Sequence, residues 1–171
     1  PDKIWEFNKK KIHIIENTTS FSVNKDITLG SSKWVHLQRY NEKNRNNTGV
    51  CFETLKKNGY KIIAMTPNSH SRSLDDLSFD TKLAFLFGNE EKGLTEYALN
   101  EADDFIKLPM YGFTKSYNIT VSAAITMSHA VNALRNSDIR WQLTEAEQKA
   151  LILEWCRKTV RRSDLIEELY L

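Results

Sequence analysis

Five apolar residues in a row, Leu83-Ala84-Phe85-Leu86-Phe87, run straight into Gly88. A run without alternation does not suit a strand with one wet face; it suits a strand covered on both sides. Lys61-Ile62-Ile63-Ala64-Met65, ended by Thr66-Pro67, has the same character, and Ile12–Ile15 and Asp104–Pro109 read as further strands. Ser31–Tyr40 is ambiguous and fits a strand as well. Between these runs lie helical patterns: Val50–Asn58 stopped by Gly59, the short Thr95–Glu101, and Ile119–Leu134 with small residues suited to close packing. Strands that alternate with helices predict an α/β domain on a mostly parallel sheet. Asn41–Asn47 is the best candidate for an exposed loop.

The 171 residues suffice for one domain and an appendage. Apolar content of 40% and charged content of 27% are those of a soluble globular protein, and no apolar run approaches the roughly 18–20 residues that span a bilayer. No membrane partner is expected. The start, PDKIWEFNKKK, has no signal-peptide core and no initiator Met, as in a trimmed chain. Cys51 and Cys156 lack CxxC spacing, and His13, His36, His70 and His129 are dispersed. These spacings argue against a disulfide framework and a metal site, and fit a reducing cytoplasm.

Net charge is only +2, but residues 1–72 carry 13 Lys/Arg against 6 Asp/Glu, and residues 73–136 carry 5 against 9. A basic N-terminal half suits a polyanionic partner or simply a solvated face. Residues 137–171 read as a helical extension. Thr144 and Glu147 form a capping box, and Leu151, Ile152 and Trp155 predict a helix with one buried face. Arg157, Lys158, Arg161 and Arg162 then gather near its C-terminus, where they either complement the helix dipole or contact RNA. Ser163 and Asp164 are placed to cap one more short helix, Asp164–Leu169.

Two loops hold the small and polar residues that chemistry needs. FGNEEKGLT, residues 87–95, follows a buried strand and precedes a helix, so it belongs at the carboxyl edge of a parallel sheet, where such folds bind ligands. Gly88 and Gly93 permit close backbone approach, and Glu90 and Glu91 can accept hydrogen bonds from an amine or hydroxyl. The stretch does not meet the GxxxxGK[ST] pattern. The second loop, YGFTKSYN at 111–118, occupies the equivalent place after the next strand. Asn118 is a good cap for the helix that follows, and Ser116 can support it. Two such loops can wall a single pocket.

Together these stretches resemble a known family. FGNEEKGLT is similar to the FGxExxGL motif, and IKLPMYGFTKSYNITVSAAI to the IPMxGxxxSLNVSVAxAI motif, of the SpoU/TrmH class of SPOUT RNA ribose 2′-O-methyltransferases. IHIIENTTSFSVNKDITLGSSKWVHLQRY resembles the family's segment leading into a Gly-Ser/Ala-x-Lys-Trp element, and LKKNGYKIIAMTP its GY-x-I-x-A-T strand. WQLTEAEQKALILEWCRKTVRRSD is similar to the extension of the branch that methylates tRNA. The resemblance runs from about Ile12 to the C-terminus. It implies an α/β knot fold, with a mostly parallel sheet ending in a deep C-terminal trefoil knot across 12–136, preceded by an incomplete N-terminal segment (1–11) and followed by the helical extension. It also implies a homodimer and S-adenosylmethionine as methyl donor.

By position, the resemblance assigns cofactor contacts to Thr66, Leu86, Phe87, Gly88, Asn89, Ile106, Leu108, Pro109, Met110, Ser116 and Asn118, and catalytic roles to Glu90, Ser116 and Asn118. Tyr117 departs from the usual Leu between the Ser and the Asn. The implied activity is methylation of a guanosine ribose 2′-hydroxyl in the D-loop of tRNA. Ribosomal RNA methylation is the enzymatic alternative. The family's Asn-x-x-x-x-x-Arg motif, which helps deprotonate the hydroxyl, is not among these residues, and Arg39 follows the wrong element to replace it. A trimmed chain accounts for this; an inactive cofactor- or RNA-binding module is the other explanation.

Overall fold

The computed structural model describes residues 2–6, 11–17, 20–22, 34–67, 70–111, 113 and 116–169. Seven strands form one sheet: β1 (Asp2–Glu6), β2 (Lys11–Ile15), β3 (His36–Tyr40), β4 (Tyr60–Met65), β5 (Arg72–Ser73), β6 (Lys82–Phe87) and β7 (Asp104–Lys107). Their order is β3-β2-β1-β6-β4-β7-β5. The helices are α1 (Asn47–Lys57), α2 (Glu96–Glu101), α3 (Ile119–Arg135), α4 (Glu145–Thr159) and α5 (Ser163–Glu168).

From β6 through β4 and β7 to β5 every pairing is parallel, whereas β1 is antiparallel to both β2 and β6. The fold is therefore mixed α/β, and the expected parallel arrangement describes the half that carries the cavity described below. Two strands carry little sequence signal. DKIWE mixes charged and apolar residues, so its place in the sheet comes from long-range pairing, and β5 is only two residues long. Part of the ambiguous Ser31–Tyr40 stretch, residues 31–33, lies outside the described residues; the strand begins at His36.

Alternate residues of the central strands feed two separate cores, as the strand period of two requires. Ile62, Ala64, Ala84 and Leu86 pack with Cys51, Phe52 and Leu55 of α1 and Ala98 of α2. Ile63, Leu83, Phe85 and Phe87 pack on the other side with Ile106 and with Ala123 and Ala130 of α3. Both faces of these central strands are covered, which is why their sequences run without alternation.

Several polar groups inside this frame are paired. Asn47, the last residue of the expected loop, is instead the first of α1; its buried amide donates to the carbonyls of Glu16 (3.0 Å) and Glu42 (3.1 Å). The Glu16 carboxyl is buried and accepts from Arg39 Nη2 at 2.7 and 3.0 Å and from the Phe21 N–H at 2.6 Å. Burial alone would push its pKa up, but the Phe21 N–H and the Arg39 guanidinium outweigh burial and hold it below the ordinary glutamate value. Arg39 thus has a structural partner. His13 is buried with its Nδ1 3.0 Å from the Tyr40 hydroxyl, a structural role like the one its isolation in the sequence implies.

The described residues divide into two compact units, one within 1–21 and 37–139, the other within 22–36 and 140–171. In the second unit, the Thr144–Glu147 capping box forms as its sequence predicts. The buried helix face does not: no residue of α4 is buried, and Ile152 is 55% exposed. Trp155 meets Trp34 edge-on, with ring centroids 5.3 Å apart, and Leu151 and Trp155 are half-buried. The expected Ser163 cap is likewise replaced. Arg162 holds the cap position of α5 at φ 59° without a side-chain bond, and the Ser163 hydroxyl donates to the Arg157 carbonyl instead.

Candidate active site

The parallel register sets three strand ends side by side. Met65, at the end of β4, is in register with Phe87 of β6 and with Ile106 of β7. The Thr66 N–H continues this edge by donating to the Ile106 carbonyl at 2.9 Å. A cavity of about 570 Å³ opens against these ends, at the carboxyl edge where α/β sheets bind ligands. Its walls are Met65, Thr66 and Pro67 after β4, residues 87–94 after β6, and Ile106, Leu108, Met110, Ser116–Ile119 and Ser122 after β7.

The loop after β6 is closed by its own backbone. Asn89 and Gly93 exchange two hydrogen bonds, Asn89 N–H to Gly93 O at 3.0 Å and Gly93 N–H to Asn89 O at 2.8 Å. The Asn89 side chain accepts from the N–H of Glu91 at 2.8 Å, and Gly93 sits at φ 66°, where glycine is favoured. Gly88 is required for a different reason. A Cβ there would lie 2.4 Å from the Gly93 carbonyl carbon and 2.5 Å from the Leu94 nitrogen, so any side chain would prise the loop open.

Asn118 joins this loop to the next. Its Oδ1 accepts from the Thr120 N–H at 2.8 Å, capping α3, while its Nδ2 donates to Glu90 Oε1 at 3.1 Å. One amide side chain therefore fixes the start of a helix and the tip of a neighbouring loop. Glu90 keeps a second carboxyl oxygen to accept from a hydroxyl or amine in the cavity.

Of the residues singled out from the sequence, Thr66, Phe87, Gly88, Asn89, Glu90, Ile106, Leu108, Met110, Ser116 and Asn118 line this one cavity. Leu86 does not. Its side chain alternates to the opposite face of β6 and is fully buried among the residues packed on α1. Pro109 is exposed and stands outside the lining, although its carbonyl accepts from the Tyr117 hydroxyl at 3.2 Å. Met65, Pro67, Lys92 and Tyr117 are lining residues that sequence patterns did not single out as site residues. Met65 was detectable in principle, since it ends a buried strand beside Thr66; Lys92 and Tyr117 reach the cavity through loop geometry that no periodicity encodes.

The basic cluster of the tail belongs to the second unit. Arg157 forms a two-pronged pair with Glu167 at 2.7 and 2.8 Å, and Lys158 pairs with Glu154. Arg161 and Arg162 are exposed and have no ion pair among the described residues. Also among the described residues, no cluster of His, Cys, Asp and Glu could hold a metal ion, and no helix is long and apolar enough to cross a membrane. Cys51 is buried and Cys156 is exposed.

The family model described as the SpoU rRNA Methylase family matches residues 4–128. The chain belongs to that family. A curated relative of this SpoU chain, the tRNA (guanosine(18)-2′-O)-methyltransferase of Borreliella burgdorferi, is 40% identical over 158 residues, which is 92% of this chain and 70% of the relative. Among solved structures, the A. aeolicus TrmH/SpoU tRNA modifying enzyme superposes with a TM-score of 0.71 at 23% identity, covering 88% of this chain and 76% of that one. The AdoMet-bound rRNA methyltransferase from Sinorhizobium meliloti gives 0.61 at 23% identity, over 71% and 45% of the two chains. At these identities the two structures establish a shared fold. The family itself rests on the sequence matches, whose span includes both cavity loops.

Proposed function

We infer that this SpoU chain is an S-adenosylmethionine-dependent tRNA (guanosine-2′-O-)-methyltransferase, acting on guanosine 18 in the D-loop. The carrying observation is the Asn118–Glu90 hydrogen bond, which locks the two motif loops across one cavity. The cavity also fits the methyl donor. Its volume of about 570 Å³ falls in the range of roughly 300–1,000 Å³ usual for small-molecule sites. Phe87, Ile106, Leu108 and Met110 give an apolar surface for an adenine ring, and Glu90, Ser116 and Asn118 give partners for hydroxyl and ammonium groups.

When bound, S-adenosylmethionine supplies a methyl group already activated by its sulfonium. The protein's task is then mainly placement, because alignment of the reacting atoms accounts for much of the rate in such transfers. Glu90 holds one oxygen on Asn118 and offers the other to a cavity hydroxyl. Ser116 and Asn118 present short polar groups at the start of α3, and the closed 88–94 loop keeps the opposite wall in place. The apolar strand ends exclude water from the floor of the site.

Several finer features belong to the same proposal. The sheet ends in a deep C-terminal trefoil knot, and the enzyme is a homodimer with a helical C-terminal extension. In support of a partner copy, Val121 and Ile125 lie one turn apart on α3 and are 44% and 37% exposed. Arg161 and Arg162 contact tRNA phosphates, and the enzyme works in the cytoplasm, where its substrate is.

The test is methyl transfer by the full-length protein from labelled S-adenosylmethionine to tRNA, to tRNA with 2′-deoxyguanosine at position 18, and to ribosomal RNA. Label should enter only the unmodified tRNA. Equal labelling of the deoxy substrate would exclude the ribose hydroxyl, and transfer to ribosomal RNA alone would reassign the substrate.

A further inference from the structure

Tyr117 stands where the family pattern has a leucine, and it makes a contact that a leucine cannot. Its hydroxyl donates to the Pro109 carbonyl at 3.2 Å, across eight positions of chain. These two residues bound the loop that leads from β7 to α3, and Tyr117 lines the cavity while Met110 and Ser116 line it from inside the same loop. Among the described residues, no backbone–backbone hydrogen bond ties this loop between Leu108 and Tyr117. The loop after β6 differs, since it closes on itself through the Asn89–Gly93 pair.

Fixing each residue of a loop costs about 1–2 kcal/mol in backbone entropy, so side-chain ties at its two ends matter. Here the far end is already anchored: Asn118 is bonded to both Thr120 and Glu90. Tying Pro109 to the adjacent Tyr117 brings the near end to that anchor, and an aromatic side chain does so with few rotatable bonds. We propose that Tyr117 is a positioning residue, whose hydroxyl clasps Pro109 and so holds Met110 and Ser116 in the cavity wall before the methyl donor arrives. The identity of the donor rests on the methyltransferase reading; the clasp itself does not.

Tyr117→Phe removes the hydroxyl and keeps the ring. Tyr111→Phe makes the same change on the same loop at a side chain that is 93% exposed, and serves as the control. Amide exchange of the cofactor-free protein should speed up across 108–118 in Tyr117→Phe, with the sheet unaffected and the control like wild type. S-adenosylmethionine should bind Tyr117→Phe about three- to ten-fold more weakly by calorimetry, as expected for one lost hydrogen bond. The KM for the donor should rise by the same factor while kcat at saturation stays near wild type. Unchanged loop exchange, or the same change in both variants, overturns the clasp. Faster exchange with unchanged affinity overturns the positioning role. A wild-type protein that binds no S-adenosylmethionine overturns the methyltransferase reading instead.

Discussion

Helix α3 starts at Asn118, whose side chain accepts from the Thr120 N–H, and helix α4 starts at Thr144, whose side chain accepts from the Glu147 N–H. Both caps were visible in the sequence, and both helices run for several turns. Their surroundings differ. α3 buries Ala123, Thr126, Ala130 and Leu134, the two alanines against the sheet, whereas no residue of α4 is fully buried despite an apolar stripe of similar spacing. Capping satisfies orphan N–H groups locally, so it reports where a helix begins. Whether its stripe is covered depends on a surface supplied from elsewhere, and the helix's own residues carry no record of that.

Substitutions can press on this contrast. The largest effect is expected from Ala130→Leu, which forces a bulky side chain into a fully buried contact of α3 with the sheet; overpacking of this kind costs about 1–3 kcal/mol, measurable by urea unfolding. Glu16→Gln should follow, at roughly 1–2 kcal/mol near neutral pH, for weakened charge-assisted bonds to Arg39 and the Phe21 N–H. Its pH dependence has a definite sign. The folded-state pKa of Glu16 lies below the ordinary value, so its contribution is complete above the unfolded carboxyl's pKa and disappears as pH falls through the folded one. Melting curves of wild type and variant should therefore converge in acid.

Asn118→Ala and Thr144→Ala remove equivalent caps, each worth about 1 kcal/mol, but they should part in their consequences. The first also cuts the bond to Glu90 and should weaken S-adenosylmethionine binding or turnover. The second should leave donor affinity, measured by calorimetry, at the wild-type value. Matching losses of affinity would erase the distinction between the two helices. The smallest effect is expected from Ile152→Ser, below about 0.5 kcal/mol in unfolding, because that side chain is already largely in water.

The same division explains what the sequence could reveal. Strands β4 and β6 were legible because two-sided burial leaves unbroken apolar runs, and both cavity loops were legible because their glycines and short polar groups follow such strands. β1 and β5 were not, since one is a mixed pentapeptide and the other a two-residue pairing. Within the site, motif matching could not separate Leu86 from Phe87. Adjacent residues of a strand face opposite ways, and only one of the two reaches the cavity. Nor could it foresee the Tyr117 hydroxyl meeting a carbonyl eight residues back.

The Asn89–Gly93 pair has a consequence for how such a site can diverge. Its two backbone bonds, with the Asn89 side chain accepting from Glu91 and Lys92, hold the shape of the turn with little help from the side chains of Glu91 and Lys92. Those two positions are therefore free to change charge and size while the frame stays constant. Drift at Glu91 and Lys92 can thus recharge one wall of the cavity while the turn that presents them keeps its shape.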